Sequence, residues 1–355
     1  QSLALAIFSN ERRGHTLPPT ALIHGSESSS FVDVPGKKLG YTPARALDFH
    51  LRRLLKDKRT IAMEYSPKGQ VPSISRVDAG TLELVRATGV LVRSSEGLVQ
   101  LTKAVWGDDG RKAPYVAVHH LTELRKEAMA LVGKQLAAGA VISELDVQQR
   151  IVRGMQMRGL VGPPPVVASG KNSADPYYVP SSARAANIAA GDVLLVSIAG
   201  RVAGAGGIYA VHTWVGYGGA KIPDRVARVF DVAALARDEA LALIGDRVRR
   251  RRTVQGFEVD QAARRFVEKA GYGDRFLHRT GHSIDRDLLG AGADLDDYEQ
   301  RDRRALVLGT GFTVGPGIYL SGELGVRAEV SAYLGKDGLE VTTPVQERIE
   351  ALVTP

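Results

Sequence analysis

Two histidines four residues apart, His278 and His282, lie in the segment His278-Arg279-Thr280-Gly281-His282-Ser283-Ile284. Further on, Glu329 closes the segment Gly325-Val326-Arg327-Ala328-Glu329. An imidazole held by a carboxylate exchanges protons near neutral pH, so His282 and Glu329 could form an acid–base pair. They could equally be a structural ion pair that bridges two strands. Ser197, at the end of the β-rich run Gly191-Asp192-Val193-Leu194-Leu195-Val196-Ser197, raises the further question of a nucleophilic triad with the same two residues. The chain contains no cysteine, which removes a disulfide framework, a thiolate metal site and a cysteine nucleophile. The glycines from 204 to 207 read as a loop without the spacing of a phosphate cradle.

These side chains need a frame, and the apolar periodicity outlines an α/β (α+β) chain in two parts. Residues 1–112 read as a small N-terminal α/β domain, with strands over Arg59–Tyr65 and Gly89–Val92 and a helix over Ala79–Thr88. Leu3–Phe8 reads as a buried first strand rather than a signal peptide. Gly107-Asp108-Asp109-Gly110 reads as a linker. Residues 113–355 form the second domain. Helical spacing runs from Val116 to Ala138, and Ser143 with Asp146 has capping-box spacing for a helix ending near Gly159. Strands follow over Asp192–Ala199 and Gly207–Val215, then helices over Asp224–Arg250 and Val259–Ala270. The last strands cover Phe312–Val314 and Val326–Leu334.

Composition sets outer limits. Hydrophobic residues make up 44% and charged residues 24% of 355, ordinary for a globular protein of two domains. No apolar stretch approaches the length of a membrane span, and a cytoplasmic location fits. The formal charge of +8 comes mostly from scattered arginines. The one dense run, Arg249 to Arg252, falls at a helix C-terminus, where cations suit the free carbonyls. That placement favours a solvated helix end over a phosphate patch, and no nucleic-acid partner is expected.

Four segments together resemble the M24 family of Xaa-Pro aminopeptidases, Xaa-Pro dipeptidases (prolidases), creatinase and methionine aminopeptidases. They are Asn172-Ser173-Ala174-Asp175-Pro176-Tyr177-Tyr178, Gly191 to Ser197, His278 to Ile284, and Gly311 to Tyr319 followed by Gly325 to Glu329. Order and spacing hold from about Val116 to Thr343, and Tyr65-Ser66-Pro67 with Val77-Asp78-Ala79-Gly80-Thr81 also look prolidase-like. The resemblance implies a C-terminal pita-bread domain, two α/β halves around a dinuclear metal site.

In that family two aspartates, one histidine and two glutamates hold the ions. The resemblance places these on Ser197, Val211, His282, Gly315 and Glu329, so three of five ligands are absent. A divalent ion needs several anionic or imidazole ligands, and two are too few for a tight site. No metal and no other cofactor is therefore expected. Of the histidines that peptidase members use on substrate, one falls on His278; the others fall on Tyr177 and Leu289. His212 could replace a lost ligand only if a β-bulge turned it inward, because strand alternation points it away from Val211's face. Tyr209 shares that face. In the parent geometry metals separate Ser197 from His282 and Glu329, which leaves serine too short for a triad.

The expectation is a metal-independent enzyme on a prolidase or aminopeptidase P scaffold, not a metallopeptidase. His282, Glu329 and His278 are its candidate catalytic residues, and Tyr177, Tyr209, Arg327 and Ser197 its candidate substrate contacts. The partner is a small amino-acid-derived or peptide-like substrate, handled by hydrolysis, elimination, isomerisation or cyclisation, in a homodimer. Creatinase is the precedent for metal-free C–N hydrolysis on this fold, although its histidine falls on Tyr177. The alternative is an inactive pseudoenzyme that binds a ligand or a protein, as other relatives do.

Overall fold

A computed structural model of the chain describes residues 20–25, 37–204 and 206–353. The expected first strand, Leu3–Phe8, lies outside them. The chain divides into two compact units, Gln1–Glu96 and Gly97–Pro355. In the first, Thr20–His24 pairs in parallel with Lys37–Tyr41, and Thr60–Met63 pairs in parallel with Leu91–Ser94. The helix Ala79–Arg86 starts where Asp78 accepts a hydrogen bond from the Thr81 amide at 2.9 Å, a side-chain N-cap.

The second unit repeats one plan twice: a pair of helices on a mainly antiparallel sheet. The helices Gly107–Ala137 and Glu144–Met157 cover a sheet centred on Val193–Val202 and Ala210–Tyr217, and Leu121, Met129, Ile151 and Ile198 interlock between them. The helices Asp224–Arg249 and Gly256–Lys269 cover a second sheet of Gly338–Val341, Val330–Gly335, Thr310–Val314 and Ser283–Ile284, with Phe230, Phe276 and Phe312 in the core. A hairpin of Gly317–Leu320 and Leu324–Arg327 stands apart as its own ribbon. The Ser143–Asp146 capping box forms as its spacing requires, with both reciprocal bonds made.

Two expectations change. Gly107–Gly110 is no linker: it is the opening of the long helix, which Gly107 enters at φ +62°, a conformation that suits glycine. The run Val326–Leu334 is not one strand either. It breaks at Ala328–Glu329, leaving the hairpin and joining the four-stranded sheet. The facing strand breaks at Gly315–Pro316, and the Ala328 amide donates to the Pro316 carbonyl at 3.1 Å across the jog. Glu329 and Gly315 thus sit opposite each other where the backbone changes sheets.

Candidate active site

His278 and His282 flank a tight stretch leading into Ser283–Ile284. Nδ1 of His278 lies 2.6 Å from the carbonyl oxygen of Arg279, and Nδ1 of His282 lies 3.0 Å from that of Ser283. A carbonyl only accepts, so both rings carry a proton on Nδ1. For His278 the second nitrogen is also used. Tyr319 donates its hydroxyl to Nε2 at 2.7 Å, and Arg327 Nε donates to the same phenol oxygen at 3.0 Å. Burial, reinforced by the Arg327 charge, holds the His278 pKa well below the ordinary value, so the ring is neutral and fully satisfied.

His282 differs in one respect. Its Nε2 has no protein partner among the described residues and faces a cavity of about 190 Å³. Burial lowers its pKa, against the opposing pull of Asp294, so it stands as a neutral base with an open lone pair. The cavity wall also carries Tyr177, Arg279, Glu299, Thr313, Arg327 and Glu329. Asp294 and Glu299 lie 3.2 and 3.8 Å from Arg279 Nη1, and Tyr177 stands exposed at the rim.

Glu329 lines the same cavity, but its hydrogen bond is to the strand Ala210–Tyr217. Its Oε2 accepts from Thr213 Oγ1 at 2.5 Å, and Thr213 Oγ1 lies 2.7 Å from Ser197 Oγ. Each hydroxyl has one proton. Thr213 spends its own on the carboxylate, so Ser197 donates to Thr213 and no serine–histidine contact assembles a triad. No direct hydrogen bond or ion pair joins His282 to Glu329. The structural reason is register: Ser197 pairs across the sheet with Thr213, and Val211 pairs with Ala199.

Of the expected site residues, His282, Glu329, His278, Tyr177 and Arg327 share the cavity. Ser197 lies behind its wall. Tyr209 packs beside Trp106, Ile208, Val211, Ile284 and Tyr333, away from the cavity. His212 faces the opposite side of its strand, stacked on Trp214 at 5.6 Å between ring centres, and Leu289 is exposed to solvent. Thr213 and Tyr319 were not anticipated. Alternation from Val211 places Thr213 on the same face, a signal present in the sequence; Tyr319 lies within the segment Gly311 to Tyr319, but its contact with His278 spans 41 residues.

Residues 117–335 match metallopeptidase family M24. The chain belongs to that family. It is 27% identical over 215 residues to an Xaa-Pro dipeptidase of Lactobacillus delbrueckii subsp. lactis, covering 60% of this chain and 52% of the relative. The chain therefore spans about half the length of that curated relative. Among solved structures, dipeptidase PepE of Mycobacterium ulcerans superposes with a TM-score of 0.68 at 20% identity, covering 94% of this chain and 84% of that one. An X-Pro aminopeptidase of Thermotoga maritima MSB8 gives 0.61 at 22%, covering 94% and 87%. The shared architecture is the two-domain α/β form with a pita-bread C-terminal unit.

The residues present do not fit the metal pair of that family. Ser197 offers a hydroxyl already used by Thr213; Val211 and Gly315 offer no side-chain donor. A side chain at 315 would also strike Glu329, whose Cγ lies 2.6 Å from an ideal Cβ built there. Among the described residues, no group of three or more His, Asp or Glu side chains is arranged to hold a metal ion. No helix among them is long and apolar enough to cross a membrane.

Proposed function

We propose that this M24 chain is a metal-independent enzyme acting on a small amino-acid-derived or peptide-like substrate, with His282 as general base. The observation that carries this reading is the open Nε2 of His282, on a neutral ring whose other nitrogen is tied to Ser283. Such a base takes a proton from a bound substrate and returns it to the product. His278 acts differently. It holds Tyr319, and through it Arg327, in place at the cavity wall. The reaction class stays within proton transfer, as hydrolysis, elimination, isomerisation or cyclisation.

One observation favours a second reading, an inactive binding module. Glu329 is engaged with Thr213 rather than with His282, so the two residues are not assembled as an acid–base dyad. Two measurements separate the readings. Metal analysis of chain purified without chelator should find no stoichiometric Mn, Co or Zn. With small N-acyl amino acids and dipeptides as trial substrates, His282→Ala should cost roughly 100-fold or more in turnover. Turnover unaffected by His282→Ala would remove the base; a full dinuclear metal complement would remove metal independence.

A further inference from the structure

One cation on the cavity wall makes no ion pair among the described residues. Arg327 is half-buried, donates Nε to Tyr319 at 3.0 Å and donates Nη2 to the Pro176 carbonyl at 3.1 Å. Among the described residues its Nη1 has no protein partner and no carboxylate lies within ion-pair distance of the guanidinium. The other cation on the wall, Arg279, is matched by Asp294 and Glu299. The Glu329 carboxylate acts on Arg327 through space without an ion pair, and its own hydrogen bond is to Thr213. A guanidinium held in a fixed orientation beside a cavity, with a free N–H edge and no ion-pair partner, is built to receive an anionic group.

We infer that the ligand of this cavity carries a carboxylate, which Arg327 holds while the proton to be transferred lies on the side of His282. Arg327 then supplies the positive charge for which the chain has lost its metal ligands. The cavity's volume of about 190 Å³ is small beside typical ligand pockets of roughly 300–1,000 Å³, which selects an acid the size of a single amino-acid derivative. The position of the proton rests on the proposed role of His282; the anchoring of the carboxylate does not.

The test is calorimetric titration of the full chain, treated with chelator, with N-acetylalanine and with its uncharged amide, N-acetylalaninamide. The acid should bind saturably and at least about tenfold more tightly than the amide, the range for a charged hydrogen bond. R327Q should abolish that preference, and R327K should keep part of it. Equal binding of acid and amide, no saturable binding of either, or a preference that survives R327Q would each overturn the assignment. The comparison in the unsubstituted chain stands even if R327Q fails to fold. Acid preference without turnover would sink only the catalytic reading; turnover without acid preference would sink only the anion anchor.

Discussion

The side chain of Glu329 lies across Gly315, so near that a Cβ added at position 315 would meet its Cγ at 2.6 Å and its Cβ at 2.8 Å. These contacts are with the root of the side chain, which cannot swing aside as its tip could. Gly315→Ala should therefore destabilise the chain by about 1–3 kcal/mol through overpacking, read as a lowered denaturant midpoint at unchanged slope. A Gly315→Ala chain as stable as the parent would mean that Glu329 is free to move, and that the old ligand position is still open.

Thr213 connects Ser197 to Glu329 and is itself buried. Replacing it with valine keeps the shape but removes both contacts, leaving a buried carboxylate oxygen and a serine without partners. Thr213→Val should cost roughly 1–3 kcal/mol at neutral pH, measured by chemical denaturation. Ser197→Ala removes only one donor at the outer end of the chain of bonds, and should cost less. A reversed order would contradict the proton assignment made for the two hydroxyls.

Acid stability should depend on His212. Burial, with the Arg125 charge nearby, pushes its pKa from 6.5 down to about 3. A depressed folded value means that the unfolded chain binds the extra proton first. Its contribution is complete above pH 6.5 and is lost as pH falls toward 3, amounting to roughly 4 kcal/mol over that window. Asp296 works in the opposite sense: burial raises it from 3.8 to about 6, so protonation favours the folded chain as pH falls through 6. His212→Leu should flatten the loss of stability between pH 6 and 4, and an unchanged slope would show that the folded ring protonates there as readily as the unfolded one, so that burial does not depress it.

Much of this arrangement was legible in the sequence, because it rests on local rules. The Ser143–Asp146 cap, the helix from Asp224 and the opposite facing of Val211 and His212 need only spacing. What spacing does not reveal is register and jogs. The pairing of Ser197 with Thr213 depends on where two strands align, and the break at Ala328–Glu329 depends on which sheet each half joins. The opening of the long helix at Gly107 differs for a related reason: glycine and aspartate favour turns in isolation, and a local run of them does not reveal that the helix already begins there.

A buried carboxyl group outside the cavity lining should control the cavity's rim. Glu144 accepts from the Ser169 amide and hydroxyl, from Asn172, from the Tyr178 hydroxyl and from the Ala186 amide, all within 3.2 Å. These bonds span the segment that carries Pro176 and Tyr177 to the wall. Glu144→Ala should cost about 3 kcal/mol or more, since several buried donors lose one acceptor together. Proteolysis should then cut first between residues 169 and 186, and a uniform loss of protection would argue against this local role.

The two histidine rings take their orientation from the backbone carbonyl of the very next residue, Arg279 for one and Ser283 for the other. Each proton is therefore placed by its own stretch of main chain and owes nothing to whatever occupies the space beyond. Such local wiring writes the proton positions into the main chain itself, so that they travel with the fold rather than with its contents.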